Sequence, residues 1–337
     1  MTPAFSDRRA RATPTSSIAG SASPESRMTG AQRGAITCVA ALVGAILLAL
    51  HALPAYGQDC PCGVATEQTA ETGRTNDIAI EYIAPKSQAL TELYQTLQNR
   101  QVLERTQAIL SAFRLPERLV IRTMECGIMN AWYAEENGAK TVTLCYELLQ
   151  NIVQSLPMQS NPAGVTATDA AAGQFFWLVL HEVGHAVFDM FAIPILGREE
   201  DAADNFAAYI MLAFGKERAR RLVGGAAWAW KGYIDRAKQD SKVELPLEAF
   251  ASNHGQPQER FYNLMCIAYG ADPQMFSDLV QTGYLPQRRA PNCRYEYKTL
   301  ATAFRREIRP HVDAKLAAAI MDTTWLPAPD SMAAAAK

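Results

Sequence analysis

Residues 175–188 read Phe-Phe-Trp-Leu-Val-Leu-His-Glu-Val-Gly-His-Ala-Val-Phe, and this stretch constrains the chain more than any other. As a helix it is apolar on nearly every face, which places it inside a protein core. Two histidines and a glutamate in that setting are costly unless something satisfies them. His181 and His185 are spaced i, i+4, so both imidazoles share one helical face and can reach one ion. Glu182 then lies beside the metal-bound water, the arrangement that HExxH helices use for zinc-assisted hydrolysis. A membrane-spanning reading of the same stretch is disfavoured by its three ionisable groups, by Gly184 and by Asp189 just beyond.

Catalytic zinc takes three protein ligands and keeps one position open for water. The metzincin pattern is excluded, because Phe188 and Phe191 stand where it needs glycine and histidine. The next helix offers Glu199-Glu200-Asp201-Ala202-Ala203-Asp204. Glu200 and Asp204 are again i, i+4, so Glu200 is expected as the third ligand. Asp204 is expected to accept the outer N–H of a zinc histidine and fix its tautomer. Glu199 has no carboxylate four residues on and ranks second as ligand. Acids near a helix N-terminus also suit the macrodipole, which accounts for the charge here but not for the spacing. The expectation is one Zn2+ per chain, held by His181, His185 and Glu200, with Glu182 as general base.

The N-terminus concerns destination. Residues 35–52 are apolar, follow Arg33 and precede Ala55-Tyr56-Gly57, a small-x-small site that suits signal peptidase. Residues 1–57 are expected to be a signal peptide, with Met28 as the better start. The alternative is an uncleaved membrane anchor over 35–52. Removal of 1–57 takes away five arginines against Asp7 and Glu25, moving the formal charge from -2 to -5. Such a balance gives no reason to expect nucleic acid as a partner. Six cysteines remain: Cys60, Cys62, Cys126, Cys145, Cys266 and Cys293. In an exported protein an even set reads as disulfides, with fifteen pairings open. Cys126–Cys145 and Cys266–Cys293 are preferred because each closes a short loop. The expected localisation is periplasmic or extracellular.

Along the chain, residues 58–76 are polar and lack periodicity, a lead-in. Strands are expected at Asp77–Ile83 and Leu119–Met124, with a hairpin of Ile128–Tyr133 and Thr141–Cys145 turning through Glu135-Glu136-Asn137-Gly138. Helices are expected at Ser87–Gln98, Val102–Phe113 and Tyr146–Leu156. From Thr168 or Asp169, as cap, a helix runs to Ala192, and further helices cover Arg198–Phe214, Glu217–Lys238, Gln258–Tyr269, Pro273–Thr282 and Tyr297–Arg309. The plan is α+β: a small mixed sheet first, a mainly helical C-terminal half after. One domain over 77–311 and a tail over 312–337 are expected, the tail loose from Pro327.

HExxH followed by ExxxD on the next helix resembles the gluzincin zinc peptidases. More closely, the chain resembles a bacterial metallopeptidase family known mainly by a domain-of-unknown-function label. The matching stretches are Cys126-Gly127, Asn130 to Tyr133, Thr143 to Leu148, His181 to Asp204, and His254 with Arg260 to Asn263; together they span 77–311. The resemblance implies a zincin-like fold with an edge strand over the buried HExxH helix, and hydrolysis of a peptide or protein substrate. It implies that Asn130 and Ala131 hold substrate backbone by strand addition, with Trp132 or Tyr133 facing the core. His254, in the polar loop Ser252-Asn253-His254-Gly255, is the candidate stabiliser of the oxyanion; Tyr262 and Arg260 are weaker ones. Two rivals stay open. An exported zinc-binding module without turnover would need no base and would prefer a fourth protein ligand. A deformylase-like hydrolase would need a cysteine ligand motif that is absent.

Overall fold

The computed structural model describes residues 77–156, 164–240 and 251–326. The expected signal segment, the lead-in with Cys60 and Cys62, and the stretch from Pro327 lie outside the described residues. Among those described, no helix is long and apolar enough to cross a membrane.

The N-terminal half is a four-stranded mixed sheet with helices, in the order β1-β2-β4-β3. β1 (Ile78–Tyr82), β2 (Leu119–Met124) and β4 (Ala139–Cys145) are mutually parallel, and β3 (Ala131–Glu136) closes the sheet antiparallel to β4. The crossover from β1 to β2 runs through a 3-10 turn at Gln88–Leu90, α1 (Thr91–Asn99) and α2 (Val102–Leu110). Alternation along β2 puts Leu119, Ile121 and Thr123 inside, and β4 adds Val142 and Leu144.

The hairpin differs from expectation by a shift. β3 starts at Ala131 rather than Ile128, and its turn contracts to Asn137-Gly138, both at positive φ (53° and 77°). Such a two-residue turn matches the twist of the flanking strands, so pairing continues to Glu136↔Ala139. Ile128 and Met129, placed in the strand by sequence, are instead exposed. The Cys126–Cys145 disulfide ties the approach to β3 to the end of β4. Glu147, opening α3 (Tyr146–Gln154), accepts the Cys126 and Gly127 N–H groups.

The C-terminal half is helical. α4 (Ala167–Met190) begins one turn earlier than Asp169, because Thr166 caps it in a reciprocal pair with Asp169. α5 (Glu199–Ala213) and α6 (Lys216–Asp240) pack against α4, and α7 (Pro257–Ala271) packs against α5 and α6. The helix expected over Pro273–Thr282 reduces to α8 (Asp278–Gln281). The one expected from Tyr297 starts earlier, as α9 (Ala290–Glu307), with Pro291 in its first turn where no N–H is needed. Cys266–Cys293 joins α7 to α9. The packed body continues past His311, where sequence placed a tail. Asp313 caps α10 (Ala314–Asp322), and Trp325 is buried with its ring 5.0 Å from Phe176 and 4.8 Å from Phe214.

The approach of α4 to α6 is set by two glycines. A Cβ on Gly225 would lie 1.8 Å from the Asp169 carbonyl oxygen, and one on Gly173 2.3 Å from that of Leu222. The two backbones touch where side chains would hold them apart, and Arg221 Nε locks the contact on Asp169 at 2.7 Å. Gly225→Ala is therefore expected to lower stability by about 1–3 kcal/mol or more through overpacking, read as a lower urea midpoint. An unchanged midpoint would contradict the close approach.

Candidate metal centre

The site begins with the crossing of α4 and α5. Gly184 lies in the turn between the two motif histidines, and a Cβ there would meet Ala203 Cα and the Phe206 ring at 3.3 Å. The absence of a side chain lets the first turn of α5 lie against the histidine face of α4. Glu200 Oε2 then sits 3.0 Å from His181 Nε2 and 3.5 Å from His185 Nε2, and the two Nε2 atoms are 3.3 Å apart. Nitrogen and oxygen ligands of tetrahedral zinc stand at about 2.0–2.1 Å, which separates neighbouring ligand atoms by about 3.4 Å. The three atoms therefore fit one small divalent ion. His254 joins them from the loop before α7, with Nε2 2.8 Å from Glu200 Oε2. His181, Glu200 and His254 form a group able to hold a metal.

The far sides of the imidazoles are also occupied. Asp204 Oδ1 lies 2.8 Å from His181 Nδ1, and Glu199 Oε1 lies 2.7 Å from His185 Nδ1. Each carboxylate favours the tautomer that leaves Nε2 free for a metal. Glu199, ranked by sequence as the second choice of ligand, thus stands behind His185. Adjacent residues on a helix point about 100° apart, which sends Glu200 to the Nε2 side and Glu199 to the Nδ1 side. Arg260, a weaker candidate for the oxyanion, is committed elsewhere: Nε and Nη2 each lie 2.7 Å from an Asp204 oxygen. Its guanidinium also rests 5.1 Å from the Trp230 ring centre. Tyr262 packs against Phe261. Asn253, which sequence did not single out, donates to Glu200 Oε1 at 3.2 Å; a short polar side chain in a loop carries no spacing signal.

Electrostatics separate the carboxylates. Burial raises the Glu182 pKa above its ordinary value, with His181, His185 and the Tyr133 N–H opposing. Burial acts the same way on Glu200 and Asp204. There the bond from His181 to Glu200, and those from Arg260 and His181 to Asp204, outweigh it and hold both below the usual range. Glu182 is thus the carboxyl best able to take up a proton, and its neighbours are the ones kept anionic.

The sheet presents an edge to this carboxyl. Cys145 N–H bonds the Asn130 carbonyl, so pairs alternate along the hairpin and Ala131, Tyr133 and Glu135 turn their backbone groups away from β4. Among the described residues β3 is an edge, so those groups have no strand partner, and the Tyr133 N–H bonds the Glu182 carboxyl. Of the two candidates for substrate backbone, Ala131 shares this free edge, whereas the Asn130 carbonyl is spent on β4 and its exposed side chain remains available. Tyr133 faces the core side and donates its phenol to Asp189 at 2.6 Å. Trp132 lies on the opposite face and donates to Glu136 at 3.0 Å.

The two outer carboxylates can be tested together. Asp204→Asn and Glu199→Gln are each expected to weaken metal affinity about 10–100-fold, measured by competition with a chromophoric chelator. Affinities unchanged in both would remove their assigned role.

Comparison with known proteins agrees with the geometry. A family model described as "Putative metallopeptidase" matches residues 82–307, from the end of β1 to the end of α9. No curated protein and no solved structure matches the chain. With two thirds of its length inside that match, the chain belongs to this metallopeptidase family.

Proposed function

We propose that the protein is an exported zinc peptidase in which Glu182 acts as general base. The observation that carries this reading is the convergence of His181 Nε2, His185 Nε2 and Glu200 Oε2 within 3.0–3.5 Å of one another, beside the buried Glu182 carboxyl. Zinc held there would lower the pKa of its bound water to about 7 and polarise a substrate carbonyl.

The remaining work falls to the chain's own groups. Glu182, its pKa raised by burial, accepts the proton from the attacking water and returns it to the leaving amine. An extended peptide pairs with the β3 edge through the backbone of Ala131 and the Tyr133 carbonyl, with Asn130 at the rim. Strand addition of this kind fixes a substrate's backbone while leaving its side chains to other walls. His254, on its half-exposed loop, donates to the oxyanion. Two disulfides fit an oxidising compartment, which agrees with residues 1–57 serving as an export signal.

A second reading, metal binding without turnover, draws on His254 itself. Its Nε2 is 2.8 Å from Glu200 Oε2, close enough to serve as a fourth protein ligand, and structural zinc sites are closed by four. One variant separates the two. As a donor, His254→Ala leaves zinc affinity intact and lowers kcat about 10²–10³-fold; as a ligand, it lowers affinity.

The base is tested by Glu182→Gln, which keeps shape and alters no proposed ligand. It is expected to retain zinc and lose about 10²–10⁴-fold in kcat on any peptide the wild type cuts. Cleavage at the wild-type rate would sink the mechanism.

A further inference from the structure

Tyr133 is fastened to one helix at both of its ends. Its main-chain N–H bonds the Glu182 carboxyl, and its phenol donates to Asp189 Oδ2 at 2.6 Å. Both acids belong to α4 and stand seven residues apart. Two helical turns separate them, so they share a face about 10 Å apart along the axis. Asp189 Oδ2 also accepts Lys140 Nζ at 2.9 Å, and the same ammonium reaches Glu135 Oε2 at 2.9 Å. Lys140 lies on β4 directly opposite Glu135 on β3. One carboxylate oxygen near the end of the metal-motif helix thus gathers donors from both strands of the hairpin.

We infer that Tyr133, Asp189 and Lys140 are positioning residues, which together set the height of the β3 edge over Glu182 and so the placement of an extended peptide chain. The inference rests on the peptidase reading above and deepens it. The ladder to β4 fixes β3 along the sheet, but it does not set the distance from the sheet to the helix. The clamp adds that restraint at two points. The Tyr133 carbonyl offered to substrate belongs to the residue whose N–H touches the base, and Ala131 lies two places before it on the same edge. A shift of this strand therefore passes directly to the reacting bond, where a misplacement of about 1 Å can cost about 10²-fold in rate. The acids that receive Lys140 are well exposed, Asp189 at 50% and Glu135 at 59% of their side chains. Ion pairs of that kind add little to stability, so the arrangement bears more on where the strand lies than on whether the chain folds.

The test reads binding and does not depend on turnover. Zinc-loaded protein is titrated by calorimetry with acetohydroxamate, which engages the metal alone, and with a peptidyl hydroxamate whose backbone is long enough to pair along β3. The wild type is expected to bind the peptidyl probe more tightly. Tyr133→Phe keeps the ring and removes the phenol bond. It is expected to lower the peptidyl-to-acetohydroxamate affinity ratio about 10-fold, the scale of one hydrogen bond to a charged group, with zinc content and acetohydroxamate affinity unchanged. Asp189→Ala should lower the ratio at least as far, and the double variant should be no worse than Asp189→Ala alone, because the two side chains act through one bond. Lys140→Met should act in the same direction, and Lys140→Arg, which keeps a cationic donor, less so. The half-exposed Asp189 carries the test if Tyr133→Phe fails to fold. An unchanged ratio would overturn the inference, as would equal weakening of both probes, which marks a general loss of structure at the metal. A wild type that binds the peptidyl probe no better than acetohydroxamate refutes strand addition along β3 and this inference with it. One that retains zinc and binds neither probe has no open metal position, and the peptidase reading itself then fails together with the inference.

Discussion

The structure is organised around ionisable groups in the buried stretch of one helix. His181 is 3% exposed and Glu182 7%, on a helix whose other faces carry the apolar core. A polar group left unsatisfied in that position costs on the order of several kcal/mol. The chain meets the cost with further buried polar groups rather than with solvent. Asp204 stands behind His181 and Arg260 behind Asp204, so the buried Asp204 carboxylate meets an imidazole on one side and a guanidinium of opposite charge on the other. Such a network is stable only when every member is satisfied. The chain of partners ends at Arg260, capped by the face of Trp230.

Holding these partners in place requires backbones closer than ordinary packing permits. Gly184 lets α5 lie against α4 at the motif turn, and Gly173 with Gly225 does the same for α6. α5 supplies Glu199, Glu200 and Asp204, α6 supplies Trp230, and α7 with its preceding loop supplies Asn253, His254 and Arg260. The helical half is thus a frame that aims side chains from four segments at one point. The sheet contributes differently: its edge at Ala131 and Tyr133, which has no strand partner among the described residues, brings backbone groups to the same point, positioned by the hairpin turn and by the Cys126–Cys145 bridge.

Much of this was legible in sequence because it is periodic. The i, i+4 spacing of His181 and His185, and of Glu200 and Asp204, depends only on helical geometry, which tertiary context does not alter. Short loops likewise favoured Cys126–Cys145 and Cys266–Cys293. What escaped was information held in angles between elements. Glu199 and Glu200 differ in role by a rotation of one helical step, and the start of α5 had first to be located. Arg260 looked like a free cation near the site until α7 brought it onto Asp204. The start of β3 was misplaced because Ile128 and Met129 resemble strand residues, whereas the two-residue turn at Asn137-Gly138 fixes the register from the other end. The helix capped by Asp313 was assigned to the tail, because the burial of Trp325 that fastens α10 depends on Phe176 and Phe214, distant in sequence.

The central claim is that one divalent ion is held by donors from α4 and α5. It is tested most directly by metal analysis of the purified protein beside its His185→Ala variant, each dialysed against the same zinc buffer. The account predicts about one zinc per wild-type chain and a substoichiometric trace in the variant, with both proteins folded by circular dichroism. A folded variant that retains a full equivalent of zinc would contradict it.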